Sequence, residues 1–210
     1  MLGLLKRLGL GGAASAQAER WVVVDVETSG FDPAQDGLIS IGAVAMRSDG
    51  RVMPAESFEI IYRQARASTR DNILVHGIGV QAQRDGVDPP TATRAFLDFV
   101  GVSPILAFHA PFDRGFLARA VKIFVNQPFD NPWLDLAELA PALDPKAGLK
   151  SLDEWLRRYA IVVTERHSAA ADAFATALLA SRLLHEGRRQ GVSDFKGLQK
   201  LARAARWVGP

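Results

Sequence analysis

The chain has 210 residues, 48% hydrophobic and 23% charged, the balance of one folded domain and not of a disordered or collagen-like chain. No run reaches the roughly 18 consecutive apolar residues of a membrane-spanning helix, and the lack of cysteine excludes disulfide frameworks, zinc ribbons, iron–sulfur clusters and thiol nucleophiles. The formal charge is +2, but basic residues cluster at Arg63, Arg66 and Arg70 and again over 181–210, where seven Lys or Arg face only Glu186 and Asp194; both stretches suit a polyanion or a solvated face.

Residues 1–20 read as an N-terminal appendage, a short amphipathic run with Lys6 and Arg7 followed by a small-residue stretch. Glycines interrupt the run too early for an export signal, so a cytoplasmic protein is expected. Gly9 to Ala14 match a dinucleotide-loop spacing but have no room for a preceding strand. Trp21 to Val24 form a β-branched run typical of a strand covered on both faces. Leu38 to Met46 and Val52 to Ile61 predict two more strands joined at Ser48-Asp49-Gly50, whose Asp-Gly pair signals a hairpin. Beyond Pro89-Pro90, the stripe of Ala95, Phe96, Phe99 and Val100 predicts a helix over Thr91 to Gly101. Pro104 to Phe108 reads as a short buried strand, Phe112 to Phe124 as a helix, and Trp133 to Leu136 as a short strand. Helices are predicted over Ser151 to Tyr159, Ala169 to Leu184 and Val192 to Trp207. A hairpin-first sheet followed by alternating strands and helices implies an α/β domain with a mixed sheet, spanning 21–187, with 188–210 as a basic C-terminal helix or tail.

Asp25 and Glu27 lie two apart where the first strand runs out, so both side chains point to one face. Like charges that close are costly unless a cation lies between them, and oxygen ligands suit Mg²⁺ or Mn²⁺. A solvated turn or helix cap is the plain alternative. Asp113 falls near the first turn of a helix, where it could also serve the helix dipole. Asp172 stands in an Ala-rich helix where an acid has poor propensity, and Ser168 is placed to cap that helix. His167, just before it, is suited to act as a general base near neutral pH.

Asp25-x-Glu27 with Thr28, Phe112-Asp113 after a middle strand, and His167-x₄-Asp172 near the end together resemble the three motifs of the DEDDh, or DnaQ-like, exonuclease family. The likeness runs from about Trp21 to Leu184. Val24 to Pro33 is similar to the family's first motif, and His76-Gly77-Ile78 to its His-Gly-Ile segment. Asp135 falls where the family has an Asp after a short strand and reads as structural. The second motif departs from the pattern, since His109 stands where the family usually has Asn. That change bears on substrate preference and leaves metal binding intact; His109 reads either as a phosphate contact or, preferably, as a packed, hydrogen-bonded ring.

The resemblance implies a ribonuclease H-like fold, a mixed five-stranded sheet flanked by helices. It implies that Asp25, Glu27, Asp113 and Asp172 hold two divalent cations, Mg²⁺ or Mn²⁺, roughly 3.5–4 Å apart, and that His167 deprotonates the attacking water. The reaction implied is 3′-to-5′ removal of nucleoside 5′-monophosphates from single-stranded nucleic acid, DNA favoured over RNA, with a DNA polymerase as a further partner. Thr28, Phe31, His76, Gly77, Ile78 and His109 would contact the terminal nucleotide, Phe31 as a wedge. The alternatives are an exoribonuclease or oligoribonuclease with the same chemistry, and a catalytically silent nucleic-acid-binding or polymerase-associated module.

Overall fold

The computed structural model describes residues 19–163 and 168–205; the N-terminal stretch 1–18, and His167 with it, lie outside the described residues. Five strands form one mixed sheet in the order β3-β2-β1-β4-β5. β1 (Arg20–Thr28), β2 (Leu38–Arg47) and β3 (Val52–Ile61) are antiparallel neighbours, whereas β4 (Ile105–Ala107) runs parallel to β1, and β5 (Trp133–Asp135) parallel to β4. β1 extends past its β-branched run because β2 is long enough to pair with it, placing Asp25 opposite Gly42 and Glu27 opposite Ser40.

Alternation along β1 divides the core into two layers. Odd-numbered Trp21 and Val23 join one cluster with residues of α5 (Leu136–Leu143), α6 (Leu152–Arg158), α7 (Ala169–Arg189) and α8 (Phe195–Ala205). Even-numbered Val22, Val24 and Val26 join the other, with α3 (Pro89–Val100) and α4 (Ala110–Phe124). α3 begins two residues before the predicted start: Pro89 and Pro90 occupy its first turn, where a missing N–H costs nothing, and the Asp88 side chain accepts the Thr91 N–H. α7 packs its buried alanines, Ala169, Ala173, Ala175, Ala177 and Ala180, on β1 and β2, and these short side chains let it approach the sheet closely.

Three helices are additions to the sequence reading. α1 (Arg70–His76) and α2 (Val80–Asp85) are too short for a periodic stripe, and α5 carries Pro141 in its last turn. The expected boundary at 187 falls inside α7, and α8 belongs to the core: Phe195, Leu198 and Ala202 are buried, with the Phe195 ring edge-on to Trp21 at 5.2 Å. β3 is an outer strand whose pairing with β2 jumps from Val44↔Ser57 to Ala45↔Met53, so that Pro54, Ala55 and Glu56 bulge outward. The bulge carries Glu56 to Arg20, 3.1 Å away.

Candidate active site

Asp25 and Glu27 continue the odd-numbered face of β1 and therefore look toward α7. What brings α7 to them is Gly42. A Cβ built on Gly42 would lie 2.0 Å from the carbonyl carbon of Ala169, so the first turn of α7 rests directly on the β2 backbone, opposite Asp25. Ser168 fixes that end of the helix, its Oγ accepting the Ala171 N–H at 3.2 Å. Asp172, in the same turn, then faces β1. One carboxylate oxygen each from Asp25, Glu27 and Asp172 lies within 4.8 Å of the others.

Asp113 arrives from the opposite layer. It sits in the first turn of α4, 3% exposed, and reaches across the end of β1 beside Glu27, outside the set of three. Burial drives its pKa well above the usual carboxylate range, and the charges of Asp135 and Glu27 add to this, while its own N–H and that of Val26 pull it back. Glu27 is pushed from 4.5 to about 7, by burial first and then by the Asp172 charge. These hard oxygen donors, too crowded to ionise together, fit a divalent cation.

This strain has a measurable sign. The folded protein without metal holds a proton on Glu27 up to about pH 7, whereas an unfolded chain releases it near 4.5. Between those values the native state binds more protons, so stability falls as pH rises. With allowance for Glu27's partial exposure the loss is on the order of 2–3 kcal/mol, and Asp113 acts in the same direction. Melting temperatures in EDTA should fall across this window, and added Mg²⁺ should abolish the fall; a flat or rising EDTA profile would refute the raised Glu27 pKa.

The expected substrate residues gather around the end of β1. Phe31 projects into solvent, 91% exposed, with its ring 6.4 Å from Phe112. His76 is buried, and its ring bonds are internal. Nδ1 accepts the Ile78 N–H at 2.9 Å, which leaves the proton on Nε2 to meet Asn72 Oδ1 at 2.9 Å and Ser68 Oγ at 3.2 Å. Burial lowers its pKa, which favours the neutral ring. Asn72 in turn donates from Nδ2 to the Thr28 carbonyl at 2.9 Å, which ties α1 to β1. Gly77 ends α1 in the left-handed region at φ 71, and Ile78 is half-buried behind it. His109 corrects the preferred packed reading: it is exposed, edge-on to Phe108 at 4.9 Å, and makes no side-chain cap bond to α4. Its φ of 65 accounts for the residue type, because Asn and His both tolerate left-handed backbone better than most residues do.

Sequence reasoning missed three residues that shape the site. Gly42 carried no local signal, since a glycine inside an apolar run reads only as a weak strand position. Asn72 lay in a segment to which no element was assigned. Arg119 Nη1 donates to the carbonyls of Pro33 and Asp36 at 2.9 and 2.8 Å, holding the loop that presents Phe31. Asp135, read as structural, is engaged in that way: its Oδ1 accepts the N–H groups of both Ala137 and His109 at 3.0 Å.

A family model described as "Exonuclease" (RNase_T) matches residues 22–180. The chain belongs to this exonuclease family, of the DEDDh, DnaQ-like type. Among curated relatives, DNA polymerase III PolC-type of Bacillus subtilis is 29% identical over 177 residues, covering 84% of this chain and 12% of that protein. A DNA polymerase III subunit epsilon-like protein of Rhodobacter capsulatus is 33% identical over 197 residues, covering 90% of this chain and 28% of that one. This chain thus corresponds to a minor part of either relative. Among solved structures, E. coli exonuclease I in its zinc-bound complex with single-stranded DNA superposes with a TM-score of 0.71 at 21% identity, over 81% of this chain and 42% of the other. The same enzyme with a dA16 oligonucleotide gives 0.70 at 21% identity, over 81% and 42%. These confirm the fold, the mixed five-stranded sheet with flanking helices. Among the described residues no helix is long and apolar enough to cross a membrane.

Proposed function

We propose that the chain removes nucleotides one at a time from the 3′ end of single-stranded DNA, releasing nucleoside 5′-monophosphates, with two divalent cations, Mg²⁺ or Mn²⁺. The observation that carries this reading is the meeting of Asp25, Glu27 and Asp172 within 4.8 Å, from a strand and a helix some 150 positions apart, with Asp113 alongside. These four acids would hold the cations, which when bound lower the pKa of water and stabilise charge on phosphoryl oxygens. The protein's own contribution is positional. Phe31 offers an exposed ring to the terminal base, and the Thr28 backbone and the Gly77-Ile78 segment, pinned through His76 and Asn72, line the terminal nucleotide. His109, exposed at the start of α4, faces the strand. Arg63, Arg66 and Arg70, all exposed, attract the phosphates that the acids repel. His167, which immediately precedes the Ser168 cap in sequence, takes the proton of the attacking water. Exonuclease I bound to single-stranded DNA and the polymerase III relatives support DNA over RNA, and a DNA polymerase as partner.

The test is digestion of matched 5′-labelled DNA and RNA oligomers with Mg²⁺, Mn²⁺ or EDTA. A ladder shortening from the 3′ end, faster on DNA and absent in EDTA, with nucleoside 5′-monophosphates as product, is expected. Internal cuts, 3′-phosphate products, or binding without hydrolysis would each overturn the proposal.

A further inference from the structure

The basic C-terminal stretch has no role in the reaction as described, yet its described part forms the helix α8. Within α8, Lys196, Lys200 and Arg203 are spaced i, i+4 and i+7, which sets them on one face; all three are exposed, and the helix contains no acid. The opposite face, with Phe195, Leu198 and Ala202, is buried in the core, so the helix that carries the stripe is anchored. Beside it, between α8, α4 and β5, lies a cavity of about 550 Å³, to which Arg203, Gln199, Trp133 and Arg114 contribute. Asp135 and Glu138 also line it, and Asp135 Oδ1 is already engaged by two backbone N–H groups.

α4 links this cavity to the acid cluster. Asp113 turns inward to Glu27, and the next residue, Arg114, a hundred degrees around the helix, lines the cavity. A strand leaving the acids over the first turn of α4 therefore meets Arg114 and then the α8 stripe.

We infer that α8 and Arg114 form a second nucleic-acid contact, which binds the phosphodiester backbone of the substrate strand upstream of its 3′ end. This rests on the proposed exonuclease reading and adds where the rest of the strand lies. The occupant follows from charge complementarity: three cations in a fixed row with no acid on their helix suit a regularly spaced polyanion, and Arg suits phosphate through its planar donor fork. The contact gives affinity for length and leaves the chemical step alone.

The experiment compares wild type with the triple variant Lys196→Gln/Lys200→Gln/Arg203→Gln on a trinucleotide and on long oligothymidylate, at several salt concentrations. A charge-matched control carries Lys122→Gln/Lys146→Gln/Lys150→Gln, three exposed lysines outside α8. For the α8 variant, KM on the long strand should rise roughly tenfold. The slope of log affinity against log salt should shrink by about two, at about 0.7 per single-strand phosphate contact. Turnover of the trinucleotide and kcat on both substrates should match wild type. An unchanged long-strand KM and salt slope would overturn the inference, as would an equal loss on both substrates or an equal effect of the control variant. Wild-type failure on both substrates would instead remove the exonuclease reading itself, so the two failures are distinguishable.

Discussion

Glu27→Gln should lose more than about 10³-fold in exonuclease turnover and yet melt at a higher temperature than wild type in EDTA above neutral pH. The two effects share one cause. Glu27 is mostly buried and faces the Asp172 charge, and its pKa of about 7 records how unfavourable its ionised form is without a counter-ion. Glutamine keeps the shape and removes the charge, so the metal-free fold is relieved of the burden while a cation loses a ligand. Below about pH 5 wild-type Glu27 is itself neutral, and the two proteins should melt together. Mg²⁺ should raise the melting temperature of wild type far more than that of the variant. Turnover within tenfold of wild type would remove Glu27 from the metal site, and a melting temperature lowered in alkaline EDTA would contradict the electrostatic account.

Gly42→Ala should be nearly as damaging, though Gly42 bears no functional group. The added methyl would stand 2.0 Å from Ala169 carbonyl carbon and 2.2 Å from the Ala170 nitrogen, and backbone atoms cannot rotate away as a side chain can. α7 must lift from β2, carrying Asp172 away from Asp25 and Glu27. Overpacking of this kind costs about 3 kcal/mol, and a displacement near 1 Å at reacting groups costs about 10² in rate. Gly79→Ala is the control, since nothing lies within 4 Å of a Cβ there. Thermal melts, Mg²⁺ titration and turnover should all be impaired in the first variant and near normal in the second. A Gly42→Ala protein with wild-type Mg²⁺ affinity and turnover would show that the helix contact does not set the site.

Three of the acids were legible because they carried a local anomaly, whereas Asp113 stood out only through the resemblance of the whole set. Two carboxylates at a two-residue spacing closed a hydrophobic strand, and a lone Asp interrupted an alanine helix just after a capping serine. Their separation into a close trio and a neighbour was not legible, because it depends on which layer each helix joins: α7 packs on the odd face of β1, and α4 on the even face. Gly42, Asn72 and Arg119 act through partners 127, 44 and 86 positions away, at distances over which a single sequence gives no pairing signal. His109 was misjudged for a related reason. An aromatic ring next to a buried strand suggests packing, but the backbone there turns left-handed and throws the ring outward.

The displaced Pro54, Ala55 and Glu56 on the outermost strand have a consequence for the protein in concentrated solution. Proline has no amide hydrogen to offer a newcomer, and the protrusion spoils the straight rail along which another polypeptide could zip. Glu56, turned back onto Arg20, keeps that protrusion in place. Growth of the sheet past this point of the outer strand is thereby hindered, since an incoming strand would have to follow the bulge.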